Sequence, residues 1–227
     1  MKKLIFLTGL AAFAASAPAN AQFGGMPKLP GADKGDSGAS SVSADDVDKF
    51  LAKSLKATKY VWLSVQILNK AAEGRGALGA AKQELTAISN FQSTKELNAK
   101  SDSLKSSIEA ISANKQLVEQ LNANYQNASA EDKALIRAAI YNFAVFVPQL
   151  IKMPQNIADL AKGISGNPRL LGKVSELKTA GSLIGIQLKG TATVITVLPK
   201  LMSIAKVKAP SNPETSKEEP MDFSSQG

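Results

Sequence analysis

The sequence predicts an all-α protein, an antiparallel bundle of four to six helices that occupies residues 43–208 of the 227-residue chain. Four observations favour this class. Apolar residues recur at helical spacing, and capping residues stand where helices would begin. The stretch from Ala80 to Val147 contains neither Gly nor Pro. Aromatic residues make up only 5% of the chain, which also favours helices over strands.

The first predicted helix begins at Ser43, which together with Asp46 matches a capping box. Gly74-Arg75-Gly76 should end this helix, since glycine is common just beyond a helix C-terminus. Between these signals, the apolar residues at helical spacing are Val47, Phe50, Leu51, Leu55, Val61, Trp62, Val65 and Leu68.

A second helix should extend from residue 80 to about Phe91, and Ser93 with Glu96 forms another capping-box pattern. Beyond it, an apolar residue recurs every seventh position, which predicts one amphipathic helix of the bundle. A dimeric coiled coil is the alternative interpretation. The repeated positions are Leu97, Leu104, Ile111, Val118 and Tyr125.

The next helix is predicted to begin at Ser129 and Asp132, a third capping pattern. Pro148 should kink this helix because proline has no backbone N–H to donate. Pro154 should start a short separate segment, followed by a loop at residues 163–166.

The last helical region should begin at Asn167-Pro168 and contains two apolar runs, 180–188 and 191–199, joined by Lys189-Gly190. The second run is rich in β-branched residues, so a strand stays possible there, although the apolar stripe favours a helix.

Gly181 and Gly185 stand four residues apart in this region, a spacing that allows a second helix to approach closely. They are our candidates for close helix packing. Tight packing inside a soluble bundle is the plainer interpretation of the same spacing.

Both ends of the chain differ in composition from the bundle. Residues 1–21 have the features of a signal peptide cleaved after Ala21: two lysines, an apolar stretch and Ala19-Asn20-Ala21. Residues 22–42 predict a flexible Gly/Pro/Ser-rich lead, and 209–227 predict a disordered acidic tail.

Export is therefore expected. The lead Gln22–Gly25 and the segment Asp45–Leu51 are similar to parts of exported helical proteins of Gram-negative bacteria. The signal peptide predicts a periplasmic or secreted protein. The resemblance covers under a quarter of the chain and implies no activity.

The composition argues against an enzyme. The chain contains no His and no Cys, which removes the usual zinc ligands and the usual bases and thiol nucleophiles. The acids cluster at predicted helix starts, where capping explains them. Neither Gly74-Arg75-Gly76 nor Gly163–Gly166 has the spacing of a phosphate-binding loop. We expect no catalytic site, no metal and no cofactor.

The charge is distributed unevenly. The whole chain has a net charge of +8, and residues 133–208 contain eleven basic residues and two acids. A basic, apolar half of this kind predicts binding to anionic lipids, other anionic amphiphiles or a membrane surface. The candidate head-group contacts are Lys152, Arg169, Lys173, Lys178 and Lys189.

Two other functions stay open. The protein could be a structural or interaction bundle that binds a protein partner in the cell envelope, with its lysines simply solvating the surface. The apolar region 180–199 also resembles, in outline, the hairpin of helical pore-forming toxins, although each nine-residue run alone is too short to span a bilayer as a helix. Nucleic acid is not expected as a partner, because the basic residues lack interleaved aromatics.

Overall fold

The structure is a computed structural model that describes residues 42–165 and 167–223. The predicted signal peptide, the predicted lead up to residue 41, residue 166 and residues 224–227 lie outside this range. The predicted all-α class is confirmed, because the described residues form α-helices and a short 3-10 turn but no strand. The described ranges contain seven α-helices, so the predicted number of four to six is too low. The elements are α1 Ala44–Glu73, α2 Ala77–Ser89, α3 Thr94–Asn98, α4 Ser101–Ala113, α5 Leu117–Asn127, α6 Ala130–Ser165, the 3-10 turn Pro168–Leu170 and α7 Lys173–Ala205.

Helix α1 begins and ends where the sequence predicts. The Ser43 side chain accepts from the Asp46 amide (3.2 Å), and the Asp46 carboxylate accepts from the Ser43 amide (3.0 Å), so the capping box is complete. At the other end, Gly74 has a φ of +118°, a conformation that L side chains rarely adopt. The chain therefore leaves the helix at this glycine.

The stretch predicted as one helix by its seven-residue repeat is divided into three, α3, α4 and α5. Asn114 explains the second break, since its side chain accepts from the Gln116 amide (3.0 Å) and offers the backbone an alternative to the helix. The repeat still marks the core correctly at its first three positions. Leu97, Leu104 and Ile111 are each completely buried.

Helix α6 is longer than predicted, because it continues through Pro148 and Pro154 to Ser165. The predictions of a separate segment after Pro154 and of a loop that begins at Gly163 are therefore wrong. A proline inside a helix costs about 3 kcal/mol. Burial of the turn before Pro148, which includes Phe143 and Val147, offsets this cost through packing.

Helix α7 is also continuous, so the two apolar runs of the last region belong to one helix of 33 residues. The β-branched stretch 191–197, for which a strand was the alternative, is helical, as the apolar stripe predicts. Lys189-Gly190 lies inside the helix rather than in a turn between two segments.

The long helices pack around α1. Its partner α6 is antiparallel, since Val42 meets Gly163 at one end and Tyr60 stacks on Phe146, with ring centroids 5.0 Å apart, further along. In contrast, α1 and α7 run in the same direction. Asp48 binds Lys173 (2.8 Å), and further along both helices the Thr58 carbonyl accepts from Gln187 (2.7 Å).

The C-terminal segment, residues 206–223, differs from the disordered tail that its composition predicts. It forms no helix, but residues up to Phe223 follow a defined path along α1 and α6. Two buried amide side chains of α6 hold its backbone. Asn142 exchanges two hydrogen bonds with Glu219, and Gln149 donates to the Pro213 carbonyl (2.7 Å).

Candidate functional site

Helix α7 has the least covered apolar surface among the long helices. Two helices, Ala130–Ile164 and Lys173–Ala205, are long and apolar enough to cross a membrane by length and composition alone. In the most apolar 18-residue window of the first, 72% of the residues are buried, as in a core helix. The corresponding share for α7 is only 33%. The exposed side of α7 is therefore the candidate binding surface.

Three lysines form a line along this exposed side. Lys178, Lys189 and Lys200 are spaced eleven residues apart, which is close to three full helical turns, so they share one face at intervals of about 16 Å. All three are exposed, and none forms an ion pair with an acid in the described part of the chain.

The residues between the lysines are mostly small. We define the α7 outer face as the lysine line together with the exposed small polar residues beside it. Its apolar contribution is modest, since half-buried Ile186 lies only at its edge and the exposed Ile195 lies outside it, at least about 100° around the helix from each lysine. The α7 outer face consists of Lys178, Ser182, Lys189, Thr193, Thr196, Lys200 and Ser203.

A groove opens beside this face, between α4 and α7. Its wall on α4 includes Lys105 and Ile108, and its wall on α7 includes Gly185, Ile186 and Lys189. Its volume is about 660 Å³. We call it the α4/α7 groove.

The two helices touch at one end of the groove. The Ser112 hydroxyl is 2.6 Å from the Gly190 carbonyl oxygen, and a Cβ on Gly190 would overlap the Ile108 side chain. In contrast, a Cβ on Gly185 would meet no atom within 4 Å. Gly190 therefore allows the close approach, and Gly185 leaves the groove open.

The C-terminal segment covers a second basic surface. Glu214 lies between Lys152 and Lys53, with oxygen-to-nitrogen distances of 2.9 and 3.0 Å, and Glu218 binds Lys56 (2.7 Å). The hydrogen bonds from Lys152 and Lys53 lower the pKa of Glu214. Three lysines of α1 and α6 are therefore paired with two carboxylates within the chain, which leaves this cluster a net charge of one.

The five predicted head-group contacts do not form one cluster. Lys178 and Lys189 lie on the α7 outer face, while Arg169 is exposed in the 3-10 turn. Lys152 binds Glu214. The hydrogen bond to Asp48 raises the pKa of Lys173, which lies 2.8 Å from that carboxylate and 3.6 Å from Glu176.

Of the two glycines predicted for close packing, Gly181 lies near α6, where its Cβ would be 3.4 Å from Ile157. The tight contact of α7 is instead at Gly190. Sequence reasoning also missed Lys200 and Lys105. The eleven-residue spacing could have identified Lys200, but the position of Lys105 depends on how α4 packs.

Nothing in the described ranges suggests a metal centre, since they contain no group of three acidic, His or Cys residues that could hold an ion. Comparison of the chain with protein-family models, curated proteins and solved structures finds no match. The candidate site is therefore defined by its own geometry, as the α7 outer face and the α4/α7 groove of an all-α bundle.

Proposed function

We propose that the protein is a non-enzymatic, peripheral binder of anionic membrane surfaces, and that the α7 outer face makes the contact. The observation that supports this most directly is the lysine line, three exposed cations without ionic partners on an apolar helix that the bundle covers only in part. Each lysine near an anionic leaflet contributes about 1 kcal/mol to binding. Three lysines on one face should therefore raise the partition coefficient onto the membrane about a hundredfold.

The small residues of the α7 outer face determine the kind of binding. They let the helix backbone approach the head groups, but they offer little apolar area to insert. Attachment should therefore be mainly electrostatic and should weaken as salt screens the charges. With the predicted export signal, the target would be a membrane facing the periplasm or the cell exterior.

Insertion of α7 into the bilayer is a second candidate, and its length favours it. A continuous helix of 33 residues is about 50 Å long, more than the roughly 30 Å of a bilayer core. The objection that each apolar run alone is too short no longer applies. However, Lys189 would then lie near the bilayer centre, at a cost of about 3 kcal/mol, so surface binding is the better-supported proposal.

Co-sedimentation with vesicles tests the proposal. The protein should bind phosphatidylglycerol vesicles at low salt and dissociate from them at high salt. It should not bind phosphatidylcholine vesicles at either salt concentration. A triple variant, Lys178→Gln, Lys189→Gln and Lys200→Gln, should reduce partitioning about a hundredfold.

The matched control also loses three exposed lysines without ionic partners, through Lys95→Gln, Lys100→Gln and Lys115→Gln. It has the same net charge as the test variant. Equal losses in the two variants would mean that only overall charge matters, and would overturn the assignment to α7. Dye leakage from the vesicles would instead support insertion.

A further inference from the structure

The α4/α7 groove has the dimensions of a small ligand site. One stripe of residues from each helix lines it: on α4 the stripe extends from Lys105 to Ser112, and on α7 from Ser182 to Lys189. The first and last residues of each stripe are seven positions apart, which on a helix corresponds to about 10 Å and gives the length of the groove. Its volume of about 660 Å³ lies within the range of pockets that hold small molecules.

The floor of the groove is apolar. Ile108 is 3% exposed and half-buried Ile186 faces it from the other helix, while the backbone at Gly185 adds no side chain. The Ser112 hydroxyl is engaged by the carbonyls of Ile108 (2.7 Å) and Gly190 (2.6 Å). The proton of the Ser112 hydroxyl is therefore already taken, and the other polar residues of the lining, such as Ser182, lie at exposed positions. The floor suits a hydrocarbon chain better than a polar ligand.

The rim has a net positive charge. Lys189 has no ionic partner, whereas Lys105 lies 3.9 Å from Glu109 in a pair whose side chains are about two-thirds exposed. An exposed pair of this kind is weak and contributes about 0.2–1 kcal/mol. Lys189 is thus the group best placed to attract an anionic head group, and it belongs to the α7 outer face as well.

We propose that the α4/α7 groove binds one acyl chain of an anionic lipid, with the head group at Lys189. This inference rests on the proposed function, since it names the lipid contact made beside the same face. The chain would lie on Ile108 and Ile186 in the space that Gly185 leaves open. Binding would then combine burial of hydrocarbon with one charge contact.

Gly185→Leu tests the groove directly. The new side chain has open space at its Cβ, and replacing a glycine inside a helix favours the helical state by about 0.5–1 kcal/mol. It should obstruct the groove between Ile108 and Ile186 and hinder an acyl chain from lying there. Gly79→Leu is the matched control, since Gly79 lies inside α2 and its Cβ would also meet nothing within 4 Å.

The probe is dodecanoate below its micelle concentration, measured by calorimetry. We expect one dodecanoate per chain, at least tenfold weaker binding in Gly185→Leu, and unchanged binding in Gly79→Leu. Lys189→Gln should weaken dodecanoate binding about fivefold and leave binding of dodecyltrimethylammonium, the cationic counterpart, unreduced.

Two outcomes would overturn the groove assignment: no dodecanoate binding to the unaltered chain, or equal binding by Gly185→Leu. Vesicle co-sedimentation of the same variants separates this failure from failure of the proposed function. If Gly185→Leu still binds phosphatidylglycerol vesicles but dodecanoate binding has failed its test, the proposed role of the α7 outer face stands and only the groove assignment falls.

Discussion

Asn142 and Glu219 are 77 residues apart in the sequence and exchange two hydrogen bonds, each of 2.8 Å. The Asn142 amide donates to the Glu219 carbonyl, and its oxygen accepts from the Glu219 N–H. Asn142 is completely buried, so both of its polar atoms depend on the C-terminal segment. Both hydrogen-bonding groups of this buried α6 side chain therefore find their partners in the backbone of the non-helical C-terminal segment.

The first prediction concerns Asn142→Ala. Loss of both hydrogen bonds should release the backbone around Glu219 and lower the free energy of unfolding by about 1–3 kcal/mol. Hydrogen exchange at the Glu219 amide and urea unfolding measure the two effects. Asn127→Ala is the control, because Asn127 is exposed and donates only to the Ala123 carbonyl of its own helix. Unchanged protection at Glu219 would contradict the predicted role of Asn142.

The second prediction is a loosening of the C-terminal segment at acidic pH. The lysine contacts lower the pKa of Glu214 in the folded chain below the ordinary glutamate value of 4.5. A lowered pKa means that Glu214 stabilises the docked segment fully above pH 4.5, and that this contribution is lost as the pH falls through the folded pKa. Because the carboxylate is partly exposed, each pair contributes about 0.2–1 kcal/mol.

This loosening can be measured because the chain has no native Cys. A fluorophore attached through Thr215→Cys should lose anisotropy as the pH drops below about 4.5, and also at high salt. Glu214→Gln should remove part of the pH dependence. Glu119→Gln, which neutralises an exposed acid outside any ion pair shown by the described residues, should not. The same pH dependence in both variants would mean that Glu214 does not hold the segment.

The third prediction compares two glycines of α7. Gly190→Ala should destabilise the fold by about 1–3 kcal/mol, because its Cβ would overlap Ile108 and force α4 and α7 apart. Gly185→Ala should stabilise the fold by about 0.4–1 kcal/mol, because its Cβ meets nothing and the unfolded chain loses freedom. Thermal and urea unfolding of the two variants should shift in opposite directions. Shifts of the same sign would contradict the packing described for the groove.

These glycines also show why the sequence predicts the helices of the bundle better than it predicts the contacts between them. The capping box of Ser43 and Asp46 depends on residues three apart, so a short stretch of sequence specifies it fully. The contact between Gly190 and Ile108 joins residues 82 positions apart, and the pattern around Gly181 and Gly185 looks just as favourable. Only the packing of α4 decides between them.

The C-terminal segment shows the same limit. Its prolines and acids predict a disordered tail, whereas residues up to Phe223 pack along α1 and α6 without forming a helix. Its docking depends on Asn142 and Gln149, which in sequence are merely two polar residues in an apolar stretch. Their burial depends on the C-terminal segment that packs against them, 64 to 77 residues away in the sequence. The charge asymmetry was evident from the sequence, but which lysines are paired with acids, such as Lys152, depends on where this segment lies.

The last prediction concerns buried polar atoms between α1 and α7. Thr191 is completely buried, and its hydroxyl has no hydrogen-bond partner among the described residues. One turn earlier, Gln187 donates to the Thr58 carbonyl (2.7 Å), but its side-chain oxygen also lacks a partner there. A buried hydroxyl without a partner costs about 1–3 kcal/mol.

Thr191→Val should therefore stabilise the protein by about 1–2 kcal/mol, measured by urea unfolding. Valine keeps the shape and β-branching of threonine, so helix propensity hardly changes and the substitution isolates the hydroxyl. Thr196→Val is the control, because Thr196 is exposed and its hydroxyl donates to the Thr193 carbonyl (2.7 Å). Its stability should stay within about 0.5 kcal/mol. Destabilisation by Thr191→Val would mean that the hydroxyl is satisfied after all, with an ordered water as the natural partner.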